Sequence, residues 1–269
     1  MHLSILVLAS TLVAAPQQIK TEIRGSIEAS LVRSHRDAGQ ALAAQVARLL
    51  GWEGDVVRQV HPKDSLKLLF EPGAEPQLLA LAYRGQKIEM QAFRFSGYDD
   101  VPRFFDAQGK MIEPFLKNNP VPKYVQITEV PQRGRGKRFH NGLDLKAPTG
   151  TPIVAPYDGK ISRVNWRKRY NGNCVDVIFH KKGTHALFLH LDKIAPGIKA
   201  GQRIKAGAPI GTVGSTGRSG APHLHYELRD KRGRVLNPLD YHGTKPLTLS
   251  QDKMKAYQQV VQRYQKLLR

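Results

Sequence analysis

Between residues 124 and 243 turn residues cut the chain into short lengths, and that cadence limits the fold more than any other feature. Pro148-Thr-Gly150, Asp158-Gly159, Asn171-Gly172, Lys182-Gly183, Pro196-Gly197, Ala200-Gly201, Ala206-Gly207 and Gly217 recur roughly every eight to twelve residues. Glycine and asparagine tolerate the positive φ of tight turns, and proline presets φ at their first corner. Between these signals lie short runs rich in strand-forming residues: Ile161–Trp166, Cys174–Phe179, Ala186–Leu191 and Pro209–Val213. The expected architecture of 124–243 is therefore an antiparallel all-β domain.

Two histidine spacings fall inside that region. Side chains two apart on a strand share a face, so His140, Gly142 and Asp144 look one way, and His223 and His225 share a face on another run. His140, Asp144 and His225 offer two imidazoles and a carboxylate, a three-ligand zinc set with its fourth position open. Catalytic zinc sites have that form, whereas structural ones are closed. Zinc lowers the pKa of a bound water to about 7 and polarises a carbonyl oxygen. Hydrolysis also needs a proton acceptor and a donor to the developing oxyanion. His223, beside a ligand, and His190, at the end of an apolar run, are the candidates. Strict alternation in that run sends Leu187, Leu189 and Leu191 to the core and Phe188 and His190 to the other side.

The rest of the chain reads differently. Residues 20–118 suggest an α+β domain. Helical spacing runs from Ile27 to Leu50, with Leu42, Val46, Leu49 and Leu50 on one side. Leu66–Phe70 reads as a strand, and Leu78–Tyr83 with Ile88–Phe95 as a hairpin. Asn118-Asn119-Pro120 with Pro122 reads as a linker. The tail, 247–269, reads as one amphipathic helix capped by Ser250, with Met254, Tyr257, Val261, Tyr264 and Leu268 on its apolar face. Residues 1–15 are apolar from Leu3 and too short to span a bilayer comfortably, and they read as a secretory signal. Export to the periplasm or cell envelope is expected, without stable membrane insertion.

The single cysteine, Cys174, excludes an intrachain disulfide and reads as a packing residue. A formal net charge of +20 favours a polyanionic partner. Nucleic acid is not that partner on this reading. The basic runs Arg133-Gly-Arg-Gly-Lys-Arg138 and Trp166-Arg-Lys-Arg169 come with no nucleic-acid fold motif and no interleaved stacking platform. They read as solvated loops at a groove rim, suited to a substrate rich in carboxylates. His180 and His185 read as structural, and His35, His61 and His242 have no companions in the sequence.

His140-x-Gly-x-Asp144, His190-Leu191 and Pro222-His223-Leu224-His225-Tyr226-Glu227 together resemble the lysostaphin/LytM-type zinc endopeptidases. The likeness runs from about Phe139 to Pro238 and takes in Ala147–Ile153, Gly197–Ile204, Gly211-x-Val-Gly214 and Thr216-Gly217. It implies zinc on His140, Asp144 and His225, His190 and His223 as a catalytic pair, and peptidoglycan as substrate. Lys63–Glu71, Ala92–Phe95 and Phe105–Gly109 resemble the domain that precedes the catalytic domain in Gram-negative murein endopeptidases. That likeness implies a regulatory or substrate-binding role for 20–118 and cleavage of the D-alanyl–diaminopimelate cross-link. The rival reading is a non-catalytic LytM-like activator of another wall hydrolase; such modules lack the zinc ligands, and this chain keeps all five polar residues. Two departures stand out. Thr128–Arg138 replaces a Ser-x-Phe-x-x-Arg-x-His-Pro-like stretch, and Phe188 stands where tyrosine is common.

Overall fold

A computed structural model describes residues 15–99, 101–133, 139–180 and 182–269. The signal segment expected at 1–15 lies outside these but for its last residue, as do residues 134–138 of the basic run. The chain divides into two compact units, Met1–Arg94 with Phe105–Gln108 and Lys255–Arg269, and Phe95–Phe104 with Gly109–Met254. Among the described residues, no helix is long and apolar enough to cross a membrane.

The first unit is α+β. Its sheet runs in the order β1 (Gln17–Glu22), β2 (Ser65–Glu71), β3 (Gln77–Arg84), β4 (Glu89–Phe95), with β5 (Arg103–Phe105) at the far edge. The expected hairpin is β3–β4, closed at Arg84 opposite Glu89. The helical stretch expected from Ile27 to Leu50 is two helices, α1 (Ile27–Ser34) and α2 (Gly39–Leu50). His35 leaves the helical region at φ −154°. One unbroken helix of that length would be about 36 Å long, whereas a seven-residue strand spans about 23 Å. Folding back lets both halves bury their apolar faces: Ile27 and Leu31 from α1, and Leu42, Val46 and Leu50 from α2. The C-terminal helix (Gln251–Leu268) buries Tyr257, Val261 and Leu268 as its spacing predicts. The Tyr257 hydroxyl donates to the main-chain oxygens of Phe105 at 3.0 Å and Asp106 at 2.6 Å.

The second unit holds a larger antiparallel sheet. In chain order its strands are β6 (Gln126–Glu129), β7 (Leu143–Lys146), β8 (Gly159–Val164), β9 (Asn173–Phe179), β10 (His185–Leu191), β11 (Arg203–Ile204) and β12 (His223–Arg229). Their spatial order is β11-β8-β9-β10-β12-β7-β6. The predicted strand runs appear as β8, β9, β10 and Pro209–Thr212, the last paired with Pro152–Val154. Alternation separates the two faces. Leu143, Tyr226, Phe188 and Val175 form one paired row and are all fully buried. The opposite face carries Asp144 and His225, also directly paired. The apolar face of the sheet thus fixes strands whose other face bears the polar residues.

Candidate metal centre

The centre is assembled from two adjacent strands and the segment leading into one of them. Asp144 on β7 is paired with His225 on β12, and His140 arrives on Phe139–His140, which pairs with Gln132–Arg133. His225 Nδ1 lies 2.8 Å from Asp144 Oδ1. His140 Nε2 lies 3.2 Å from that oxygen and 3.2 Å from His225 Nδ1. A tetrahedral ion bonded at about 2.0–2.1 Å separates its donors by about 3.3 Å, so the three atoms already form a triangle of the right size for zinc. The donor set also fits zinc chemically, with two imidazole nitrogens and one carboxylate oxygen.

Charge tells the same story. Burial alone would raise the Asp144 carboxyl, but hydrogen bonds from His140 and His225 outweigh it and hold it well below the usual carboxylate range. Burial alone would lower His225, yet Asp144 and Glu227 push it up to about 9, and His140 is raised by Asp144 against burial in the same way. The cluster therefore favours a positive charge at its centre, which a metal ion supplies when it displaces the protons. Outer contacts orient the candidate ligands. His140 Nδ1 donates to Val130 O at 3.3 Å, leaving Nε2 turned inward. His225 Nε2 faces Glu227 Oε2 at 3.7 Å, and Glu227 is itself ion-paired with Arg229. Metal-ligating imidazoles are commonly held in this way.

His190 and His223 stand beside this triangle. Their rings are 5.1 Å apart, and His190 is 6.0 Å from the His225 ring. His190 Nδ1 lies 2.8 Å from Thr216 O, and His223 Nδ1 lies 2.8 Å from Ala221 O. A carbonyl only accepts, so both Nδ1 atoms are donors and each ring keeps its Nε2 for other partners. His223 Nε2 lies 3.7 Å from Asp144 Oδ2. Burial pushes His190 down to about 4, so that ring is neutral at pH 7.

Strict alternation does not deliver His190, and the structure corrects that part of the reading. Asn173 pairs with Leu191 and Val175 with Phe188, so Cys174 alone opposes both Leu189 and His190. This is a β-bulge, and His190 holds the left-handed conformation at φ 64°. Leu187 and Leu189, expected in the core, lie opposite Glu227 and His225 on the ligand face. The bulge brings His190 to that same face. Of the other histidines, His180 is exposed in a turn, and His185 Nδ1 contacts the Asp176 carboxylate at 3.1 Å.

Two residues already visible in the sequence had roles that it did not assign. Thr216 supplies the carbonyl that holds His190, while its hydroxyl donates to Leu191 O at 2.7 Å and accepts from Asn173 N at 2.9 Å. Gly142 leaves room for the His225 ring, because a Cβ there would stand 2.6 Å from His225 Nε2. The sequence signal for Thr216 was the Thr-Gly pair, but its partners are main-chain atoms that no motif displays.

An antiparallel sheet bearing an open two-histidine, one-aspartate set with two flanking imidazoles defines a metallopeptidase type of centre. Residues 138–238 match the family model described as Peptidase family M23, and the chain belongs to that family. It is 39% identical over 233 residues to the peptidoglycan DD-endopeptidase ShyA of Vibrio cholerae, across 81% of this chain and 51% of that protein. It is 36% identical to a variant of the catalytic domain of the prophage-encoded M23 protein EnpA from Enterococcus faecalis, covering 48% of this chain and 98% of that one with a TM-score of 0.41. A zinc containing peptidase from Vibrio cholerae is 28% identical, covering 85% of this chain and 72% of that one with a TM-score of 0.41. The chain spans about half the length of curated relatives such as ShyA, at 51%, and an uncharacterized metalloprotease of Haemophilus influenzae, at 47%.

Proposed function

We propose that this chain is an exported zinc endopeptidase that hydrolyses peptide cross-links of bacterial peptidoglycan, with the D-alanyl–diaminopimelate bond as its target. The observation that carries the reading is the convergence of three candidate ligand atoms with two imidazoles whose Nδ1 atoms are tied to main-chain carbonyls, keeping each Nε2 for the reaction. His140, Asp144 and His225 would hold the ion. Zinc there supplies Lewis acidity and a water activated at neutral pH. The protein's own groups handle the proton. Kept neutral by burial, His190 begins as an acceptor at Nε2. The proton His190 takes up at Nε2 would pass to the leaving amine as the C–N bond breaks, and His223, fixed through Nδ1 by Ala221 O, would serve the developing oxyanion through a protonated Nε2. The chain's net charge of +20 suits a wall polymer bearing carboxylates. Residues 20–118 are proposed to regulate the catalytic region, 124–243.

The test is digestion of purified sacculi by the zinc-loaded full chain, with released muropeptides identified by mass. Products cut at the D-alanyl–diaminopimelate bond, lost on removal of zinc, are expected. Intact cross-links after incubation with zinc-loaded protein would overturn the proposal.

A further inference from the structure

The sheet face that carries the ligands continues past them. Register fixes a row of side chains across four strands. Glu227 of β12 pairs with Leu187 of β10, Leu187 with Asp176 of β9, and Asp176 with Arg163 of β8. Directly paired residues share a face, and Glu227 shares its face with His225 by even spacing. Arg163 therefore lies on the ligand face, three strand spacings from β12, or about 14 Å. The floor between is apolar: Cys174, Leu187 and Leu189 are buried, and Trp166 packs against them.

Arg163 is held at one edge and on one face. Its Nε donates to Asp176 Oδ2 at 3.2 Å. Asp176 is 1% exposed. The guanidinium carbon sits 4.1 Å from the centre of the Trp166 ring. Yet the Arg163 side chain is 51% exposed, and its two Nη nitrogens have no acceptor among the described residues. Asp176 also has His185 as a partner, so neutralising it does not by itself call for a stacked arginine. A guanidinium whose plane is already fixed loses little entropy on binding, and its free N–H groups match a planar carboxylate.

We infer that Arg163, stacked on Trp166, forms a specificity subsite for a free carboxylate of the substrate peptide. The inference rests on the peptidase reading of the centre. An extended peptide rises about 3.3–3.6 Å per residue, so a chain crossing the apolar floor reaches Arg163 about four residues from the scissile bond. Cross-linked wall peptides bearing carboxylates at that distance are then preferred over amidated ones.

The test uses two soluble cross-linked peptides that differ only in whether the carboxyl groups distant from the scissile bond are free or amidated. The zinc-loaded chain and its Arg163→Gln variant are compared by the ratio of kcat/KM on the two peptides. That ratio is internal to each protein, so a loss of folded enzyme divides out. A wild-type preference of tenfold or more for the free carboxylate, collapsing toward one in Arg163→Gln chiefly through KM, is expected. Wild type with no preference, or Arg163→Gln keeping the wild-type ratio, overturns the subsite while leaving the peptidase reading intact. Should zinc-loaded wild type cut neither peptide, the peptidase reading falls, and calorimetry with the free-carboxylate peptide decides the subsite. Equal affinity of wild type and Arg163→Gln would then overturn it.

Discussion

Replacing Gly142 with alanine tests how closely the sheet is built around one ligand. Gly142 is buried between His140 and Asp144, and its φ is not positive, so alanine suits the backbone there. The obstacle is space, because the new Cβ would stand 2.6 Å from His225 Nε2 and 2.7 Å from its Cε1. Ordinary contact is about 3.5 Å, so the ring must retreat by about 0.9 Å, the difference between 3.5 and 2.6. It has nowhere easy to go, with Asp144 and His140 on one edge and Glu227 near the other. Metal–donor distances tolerate only about ±0.2 Å. Gly142→Ala is expected to weaken zinc binding by about 10–100-fold, the range seen when ligand orientation is lost. That equals about 1.4–2.8 kcal/mol. Competition against a chromogenic chelator measures it, with thermal unfolding of the metal-stripped proteins as the control for folding. A zinc Kd within threefold of wild type, in a protein equally stable without metal, would refute the packing argument.

Further outcomes follow from other contacts. His190→Asn and His223→Ala are expected to keep full zinc content while turnover falls by about 10²–10⁴-fold, read by elemental analysis beside peptide cleavage. Thr216→Val leaves Asn173 N without its acceptor and removes the bond to Leu191 O, and is expected to lower stability by about 1–3 kcal/mol and slow turnover. Thr216→Ser should recover most of both. Zinc at a thousand times its Kd is expected to raise unfolding stability by about 4 kcal/mol, seen as a rise in Tm that a chelator reverses. His242 is buried against Tyr226, and burial alone lowers it to about 4. Its folded pKa lies below the unfolded value near 6.5, so its neutral form stabilises the fold above that value. The stability is lost as pH falls from about 6.5 to about 4, to the extent of about 3 kcal/mol. Denaturant unfolding at several pH values should show His242→Phe losing less stability than wild type across that window.

Legibility differed sharply between covalent pattern and spatial closure. The strands of the second unit could be read because turn residues punctuate them and alternation marks their faces. The apolar face of the C-terminal helix could be read because Tyr257, Val261 and Leu268 repeat at helical spacing. His140, Asp144 and His225 could be grouped because even offsets on strands fix a face, and the register then sets Asp144 directly opposite His225. The break at His35 was passed over, although Arg33-Ser-His-Arg-Asp37 interrupts the apolar spacing there and Gly39 follows, because the stretches on either side both read as helical. Nor was the bulge, because an extra residue in one strand shows only against its partner. Thr216 O and Ala221 O act through the main chain, where side-chain identity carries no signal.

The left-handed backbone at residue 190 also shapes what can replace the histidine over evolutionary time. Few side chains accept positive φ; glycine does so freely, and asparagine, aspartate and histidine more readily than the rest. A lineage that gives up chemistry but keeps this sheet is thereby steered toward glycine or asparagine at that position, and away from valine or isoleucine, whose branched Cβ would strain the bulge. Loss of activity in such a descendant would be written in a small vocabulary. A β-branched residue at the same point would signal instead that the bulge itself had gone, and with it the local pairing of β9 and β10.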